Sequence, residues 1–223
     1  WYGDSNVLGE AIPNAIGQYF DTEPIVTGYV SRFLELKHWA SYSSERYGGT
    51  IAVPWLSELS LTFLQNLHRA LLEMGDHHGR WRIFTDLKKL EAESQKIKLQ
   101  FEDLSACTIE NISDQYLATL ANSRVAMIYG GYNSLTDIMA AEVPSVVIIR
   151  DMNDKEQEEH VSKISKAKPN LIYPLKESGV TWKPLVEALE NQLSVDIEGD
   201  QKISLQGSEV SAHRIAHLIG HSH

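Results

Sequence analysis

Short apolar runs alternate with longer amphipathic stretches along most of this chain. The apolar runs, rich in β-branched and aromatic residues, predict strands at residues 51–53, 81–84, 107–110, 125–129, 146–149 and 171–173. Between them, helical periodicity predicts helices over residues 58–74, 87–99, 114–121, 135–141, 154–166, 182–193 and 209–218. Near-continuous apolar strands that alternate with helices are typical of parallel sheets covered on both faces. We therefore predict an α/β fold with a doubly wound, mainly parallel, six-stranded Rossmann-like sheet.

The two ends of the chain depart from this alternation. Residues 25–30 form one more apolar run, which predicts a strand ahead of the main domain. Residues 36–49 are polar and aromatic without a clear period and predict a loop or linker, so we place the start of the main domain near Gly49. The last predicted helix carries apolar residues that we expect to pack back onto the body: Val210, Ile215, Leu218 and Ile219.

Composition narrows the class of protein. Hydrophobic residues make up 43% of the 223 positions, enough for a buried core, and no apolar run approaches the roughly 18 residues that span a bilayer. The net charge of -10 disfavours binding to nucleic acid or to anionic lipid. Cys107 is the only cysteine, so no disulfide forms within the chain, and we expect a buried thiol and a cytoplasmic protein.

The most informative segment is 125–150, VAMIYGGYNSLTDIMAAEVPSVVIIR. Gly130 and Gly131 follow a strand and allow the backbone to turn sharply and approach a ligand closely. The next helix is predicted to begin at Asn133 or Ser134, with its free N–H groups and positive dipole end at the carboxyl edge of the sheet. This arrangement predicts a phosphate or diphosphate site, and the alternative is a tight turn without a ligand.

Two polar positions beyond this turn each have two interpretations. Asp137 lies three residues after Ser134, which favours a helix-capping box, and the alternative is a carboxylate that accepts hydrogen bonds from ribose hydroxyls. Asn153 and Glu156 fit a second capping box at the start of the following helix. Gln157 projects towards the apolar side of that helix, so its amide needs a partner, either a ligand or a backbone carbonyl.

The order YGGYNSLTDIMAAEVPSVVIIR, followed after a short gap by EQEEH, resembles the C-terminal, donor-binding domain of GT-B glycosyltransferases. It is most similar to the family of the N-acetylglucosaminyltransferase that makes lipid II. A related set of predicted bacterial glycosyltransferases also shares the preceding GDSNVLGEAIP…TGYVSR-like stretch. The resemblance covers residues 3–165 and is strongest over residues 118–164, and it implies one half of a GT-B fold.

The resemblance implies a role for each polar position of the segment. The residues that match the positions holding the donor diphosphate are Gly130, Gly131, Tyr132, Asn133 and Ser134. Asp137 falls where the family places an acidic residue, usually Glu, on the ribose, and Glu156 and Gln157 match the pair that contacts the donor sugar. The family also implies uracil as the base, contacted by backbone atoms near Thr85–Asp86 and residues 109–113.

The chain departs from the family pattern in two places. The glycine-rich loop after the first strand is missing, since Gly48 and Gly49 precede that strand, and we expect this loop to be remodelled around Ser57. In the family, the acceptor site and the usual general base belong to an N-terminal domain. We interpret residues 1–48 as a remnant of such a domain and a linker, and residues 49–223 as the nucleotide-sugar-binding domain, so no catalytic residue is assigned.

The leading hypothesis is the donor-binding portion of a metal-independent glycosyltransferase that transfers a hexose or N-acetylhexosamine from a UDP-sugar, with no cofactor and no metal. A metal site at His77 and His78 has little support, because both are predicted to be exposed in a glycine-bounded turn. One alternative is a donor-binding subunit of a two-chain enzyme, inactive without a partner domain or chain for the acceptor. Another is a nucleotide-sugar hydrolase or epimerase with His160 or Glu156 as acid or base, and the last is an inert α/β scaffold.

Overall fold

A parallel sheet organises the protein. The computed structural model describes residues 2–33, 45–54, 58–87, 91–151, 155–197 and 202–220. Within these residues a six-stranded sheet has the order β3-β2-β1-β4-β5-β6, and every strand pair is parallel. The strands are β1 Tyr47–Val53, β2 Trp81–Thr85, β3 Cys107–Asn111, β4 Ser123–Tyr129, β5 Ser145–Ile149 and β6 Ile172–Lys176. The predicted fold class is confirmed.

Helices follow most strands, as the alternating pattern predicted. Those in the described residues are α1 Ser5–Leu8, α2 Ala11–Phe20, α3 Glu58–Met74, α4 Glu91–Gln100, α5 Gln115–Ala121, α6 Tyr132–Ala141, α7 Glu156–Ala167, α8 Trp182–Ser194 and α9 Gly207–Gly220. A 3₁₀ turn, Asp76–His78, precedes β2. The predicted helix positions 88–90 and 154, residues 36–44 of the predicted linker and the loop at Ser57 lie outside the described residues. β1 begins at Tyr47, so Gly48 and Gly49, predicted to precede the first strand, lie within it.

Two apolar layers bury the sheet, because successive strand residues point to opposite faces. Met127 of β4 and Ile148 of β5 belong to the layer that packs against α3 and α8. Ile128 and Val147, one position away on the same strands, belong to the layer formed with α5, α6 and α7. All four residues are at most 1% exposed, which explains why these strands are continuous apolar runs in the sequence.

The strand order reverses between β1 and β4, and this reversal determines where a ligand would bind. In doubly wound sheets, ligands occupy the crevice outside the carboxyl ends of the strands at the point of reversal. β4 ends at Tyr129, and α6 begins three residues later at Tyr132. The Gly130 N–H donates to the Ile148 carbonyl at 3.0 Å, so the turn stays attached to β5. The glycine turn therefore lies at the edge where this fold binds ligands.

The predicted strand at residues 25–30 is wrong. Within the described residues the segment forms no strand and makes one isolated antiparallel bridge, between Val30 and Gln206, and Gly28 within it has a φ of 93°. The Tyr29 N–H donates to Ser204 at 2.8 Å, and the Gly207 N–H donates to the Tyr29 carbonyl at 2.9 Å. The backbone groups of this apolar run are thus paired with a segment from the other end of the chain and not with the sheet.

The prediction that the last helix packs onto the body is wrong for three of its four apolar residues, whereas the fourth, Val210, is half-buried. Ile215, Leu218 and Ile219 of α9 are 58%, 70% and 64% exposed. The first residue of α9, Gly207, is buried, and an added Cβ there would lie 2.4 Å from the Gly28 carbonyl oxygen. The helix therefore begins against the body, and its last apolar residues are exposed.

Candidate functional site

The first amides of α6 have no acceptor within the helix and no side-chain cap among the described residues. Gly131 is the N-cap in an extended conformation and no side chain caps the helix. The Leu135 N–H makes the first bond of the helix, to the Gly131 carbonyl at 3.0 Å. The amides of Tyr132, Asn133 and Ser134 precede that bond, so they have no acceptor within the helix. The helix begins at Tyr132, one or two residues earlier than predicted, and its first two residues are exposed. Free amides and the positive end of a helix form a site for an anion.

The two glycines of the turn have different reasons to be glycine. A Cβ on Gly130 would lie 2.8 Å from Val161 Cγ2 and 3.3 Å from Gln157 Cγ, so the backbone of the turn packs directly against α7. A Cβ on Gly131 would meet nothing within 4 Å, so this residue borders open space. The contact at Gly130 brings Gln157, predicted to hold the donor sugar, next to the residues predicted to hold the diphosphate.

The amide of Gln157 already has one protein partner. Its Oε1 accepts a hydrogen bond from the Arg150 N–H at 3.0 Å, so this partner is a backbone N–H and not the backbone carbonyl considered above. Glu156, the first residue of α7, is exposed beside it. The N-cap of α7 is Lys155. Asn153 lies outside the described residues, so its capping box with Glu156 stays a prediction.

Asp137 points into the protein and pairs with Arg32. The Arg32 Nε donates to Oδ1 at 3.3 Å and Nη2 donates to Oδ2 at 2.8 Å, while Asp137 is only 1% exposed. The capping box predicted for Ser134 and Asp137 is therefore wrong. Burial raises the pKa of Asp137 and the hydrogen bonds from Arg32 lower it, with burial the larger effect, so the net pKa lies above its usual value.

Residues 29–32 run alongside α6 and α7 and touch them at each position. We call these four residues the strap. Its pairs are Tyr29 with His160 (2.8 Å), Val30 with Tyr132 (3.0 Å), Ser31 with Thr136 (3.5 Å) and Arg32 with Asp137 (2.8 Å). The strap thus contacts α6 at its first residue and in its middle, and it contacts α7 at His160. Sequence reasoning missed these contacts, and the only signal was the TGYVSR-like stretch within the resemblance.

His160 has a partner in the strap. Its ring stacks on Tyr29 with centroids 5.6 Å apart, and its Nε2 is hydrogen-bonded to the Tyr29 hydroxyl. Burial lowers the pKa of His160, with a further contribution from Lys163, so the neutral imidazole is favoured. These contacts give His160 a role in positioning the strap.

A buried carboxylate lies behind the glycine turn. The Tyr129 hydroxyl donates to Glu177 Oε1 at 2.6 Å, and Arg150 Nε lies 3.8 Å from Oε2. Glu177 is 6% exposed and immediately follows β6, so this group joins the carboxyl ends of β4, β5 and β6. The sequence analysis did not identify these residues, because no local spacing relates them.

The loops after β2 and β3 are hydrogen-bonded to each other at the place where the nucleotide base is expected. The Leu87 N–H donates to Asn111 Oδ1 at 3.1 Å, and the Ile112 N–H donates to the Thr85 carbonyl at 3.1 Å. An open cavity of about 610 Å³ lies beside them. Its lining residues are Leu87, Lys98, Ile109, Glu110, Asn111, Ser113 and Gln115. The cavity lies beside the carboxyl ends of β2 and β3.

Cys107, His77 and His78 were also considered as reactive or metal-binding residues. Burial raises the pKa of the half-buried Cys107 thiol to about 12, which disfavours the reactive thiolate. His77 is exposed as predicted, whereas His78 is half-buried. Among the residues that the structure describes, no group of three or more His, Cys, Asp or Glu residues could hold a metal ion. In the same part of the chain, no helix is both long and apolar enough to cross a membrane.

Comparisons with known proteins show the family and the fold. A family profile, the glycosyltransferase family 28 C-terminal domain, matches residues 63–214. UGT89C1 of Arabidopsis thaliana, complexed with UDP, has a TM-score of 0.57 and 13% identity over 97% of this chain and 57% of its own. UGT71G1 of Medicago truncatula, complexed with UDP-glucose, has a TM-score of 0.55 and 14% identity over 96% and 48%. MurG of Acinetobacter baumannii has a TM-score of 0.52 and 13% identity over 83% and 51%.

At these identities the likeness shows a shared fold. The chain spans about half the length of each of the three solved structures, between 48% and 57%. No curated protein matches the sequence.

Proposed function

Because this chain belongs to the glycosyltransferase family 28 C-terminal domain family, we propose that it is the donor-binding portion of a glycosyltransferase. Its donor is a UDP-linked hexose or N-acetylhexosamine, and transfer proceeds without a metal ion. The start of α6 is the observation that carries this proposal. Its free amides lie at the carboxyl edge of the sheet, beside the strand reversal, and they suit a diphosphate.

The diphosphate binds to the backbone amides of the glycine turn and of the first helical turn of α6. The residues that would hold it are Gly130, Gly131, Tyr132, Asn133 and Ser134. Gly131 supports this role, because its open surroundings let a phosphate approach the backbone without a Cβ in the way. During transfer, negative charge develops on the leaving diphosphate, and preorganised amides with a helix dipole stabilise that charge.

Asp137 holds the ribose, and Glu156 with Gln157 holds the donor sugar. The contact between Gln157 and Gly130 supports the sugar role, since a sugar follows the diphosphate directly in such a donor. Arg32 occupies both carboxylate oxygens of Asp137 in the ligand-free protein. The ribose role therefore requires Arg32 to leave, and its side chain, 56% exposed, has solvent into which it can move.

Uracil is the base that the structural neighbours suggest. UGT89C1 was crystallised with UDP and UGT71G1 with UDP-glucose. The cavity beside Ile109 and Asn111 offers a place for the base on the β2 and β3 side of the sheet. The acceptor and the general base come from a further domain or chain.

Calorimetric titration with nucleotides tests the proposal. We expect UDP to bind more tightly than GDP, ADP or dTDP, and Asp137→Ala to weaken UDP binding by about tenfold or more, the effect of losing a hydrogen bond to a charged group. Glu73→Ala, which removes an exposed carboxylate from α3, is the matched control and should leave the affinity unchanged. Equal UDP affinity in Asp137→Ala and in the unaltered protein would refute the ribose assignment.

A further inference from the structure

Tyr116 has a buried hydroxyl whose partner is missing from the described part of the chain. The residue is the second of α5 and is 7% exposed. Within the described residues, no hydrogen-bond partner lies within reach of its hydroxyl. Buried hydroxyls in native proteins are nearly always paired, and an unpaired one carries a cost in stability. Such a group is therefore a candidate for contact with a ligand.

The hydroxyl lies in the neighbourhood of the proposed ribose site. The Tyr116 ring packs edge-on against Phe84 with centroids 5.6 Å apart, and α5 packs against α6, which carries Asp137. Burial raises the pKa of Tyr116, the Asp137 carboxylate raises it further, and Arg32 opposes them. Tyr116 is thus near both members of the ion pair, and its hydroxyl keeps its proton at neutral pH.

The chemistry of a ribose diol matches this arrangement. Each ribose hydroxyl can donate one hydrogen bond and also accept. The ionised Asp137 carboxylate only accepts, so it can bind the two hydroxyl protons but offers nothing to the hydroxyl oxygens. A protonated tyrosine supplies the missing donor. In the ligand-free protein, Arg32 donates to both carboxylate oxygens of Asp137, and within the described residues the Tyr116 hydroxyl is hydrogen-bonded to neither of them.

We propose that Tyr116 is a specificity-determining residue of the ribose subsite, whose hydroxyl donates to one ribose hydroxyl of the nucleotide once Arg32 leaves Asp137. The inference rests on the proposed function, which gives Asp137 to the ribose. It adds Tyr116 to the subsite as a second group that contacts the ribose. It also predicts that the site prefers a ribonucleotide to an analogue that lacks the hydroxyl contacted by Tyr116.

Tyr116→Phe tests the inference first through stability. Removing a hydroxyl that has no protein partner should leave the denaturant midpoint unchanged or raised. Tyr47→Phe is the matched control, because Tyr47 is 6% exposed, lies at the start of β1 away from the carboxyl edge, and donates its hydroxyl to Glu45. The control should lower the midpoint. A comparable loss of stability in Tyr116→Phe would show that its hydroxyl is already paired and would overturn the inference.

Nucleotide titration is the second readout. The probes are UDP, 2′-deoxy-UDP and 3′-deoxy-UDP, each bound to the unaltered protein, to Tyr116→Phe and to Tyr47→Phe. We expect Tyr116→Phe to lose about five- to tenfold in affinity for UDP, the effect of one hydrogen bond. It should lose nothing for the deoxy analogue that lacks the contacted hydroxyl. Tyr47→Phe should bind all three as the unaltered protein does.

Two outcomes separate this inference from the function it rests on. If the unaltered protein binds UDP and Tyr116→Phe keeps the same preference for UDP over both deoxy analogues, the inference is overturned and the donor site remains. If the unaltered protein binds none of the three nucleotides, the proposed function fails and the ribose subsite with it.

Discussion

Arg32 and Asp137 lie 105 positions apart in the chain and are joined by two hydrogen bonds, of 3.3 Å and 2.8 Å. The pair connects the strap to the middle of α6. Because Asp137 is 1% exposed, its carboxylate depends on Arg32 for compensation of its charge. The pair therefore couples the stability of the strap to the helix that begins at the candidate diphosphate site.

Replacing Arg32 alone should destabilise the protein. Arg32→Leu leaves the Asp137 carboxylate buried without its partner, and we expect a loss of roughly 1–3 kcal/mol, below the usual cost of breaking a buried pair because Arg32 is largely exposed. Urea unfolding of Arg32→Leu, Asp137→Leu and the double variant measures the coupling. Strictly additive losses would show that the two residues do not interact.

The two glycines of the turn should respond differently to alanine. Gly130→Ala places a Cβ 2.8 Å from Val161 Cγ2, and we expect overpacking to cost roughly 1–3 kcal/mol. Gly131→Ala adds a Cβ in open space at a φ of -74°, which alanine adopts readily, so stability should change little. Denaturant unfolding compares them, and Val161→Ala in the Gly130→Ala background should restore part of the loss. An equal loss in both single variants would contradict the packing described for Gly130.

Stability should fall as the pH drops below neutrality, partly because of His160. Its pKa in the folded protein is lowered by burial, so the unfolded chain takes up the proton first as the pH falls. The contribution of His160 is complete above the unfolded value of about 6.5 and is lost as the pH falls through the folded value. Unfolding midpoints between pH 7.5 and 5.5 should decline less steeply in His160→Gln, which does not titrate. Identical slopes would exclude His160 as a source of the dependence.

Leucines in α8 and α9 should differ sharply in their importance. Leu189 of α8 is 0% exposed, and Leu189→Ala should cost about 2–5 kcal/mol through the cavity it creates. Leu218 of α9 is 70% exposed, and Leu218→Ala should stay within about 0.5 kcal/mol of the unaltered protein. Denaturant unfolding of the two variants measures both losses of stability. A large loss in Leu218→Ala would mean that α9 packs against a surface, as the sequence had suggested.

The sheet was predictable because its signals are local. Each strand of the sheet contains a short apolar run, and the helix Glu58–Met74 has a full amphipathic period. The element order and the family resemblance therefore both followed from neighbouring residues. The resemblance is confirmed by the family that matches residues 63–214. The positions of the glycine turn and of α6 at the carboxyl edge also followed, since the fold class fixes that edge.

The errors arose where distant parts of the chain meet. Residues 25–30 have strand composition, but their backbone partners lie near Ser204 and Gly207, and nothing in a local window relates the two segments. Asp137 has the spacing of a cap from Ser134, but Arg32 takes its carboxylate. Tertiary contacts thus decided the roles of side chains that local spacing had assigned otherwise.

A backbone amide NMR titration with UDP tests the central claim most directly, because it locates the bound diphosphate on the chain. The account predicts that the largest shifts occur at the amides of Gly131, Tyr132, Asn133 and Ser134, with smaller shifts at Asp137 and Gln157. Inorganic phosphate should perturb the first group alone and more weakly. Largest shifts elsewhere, for example at the turn Asp76–His78 on the opposite edge of the sheet, or no shifts at all, would contradict a donor site at the start of α6.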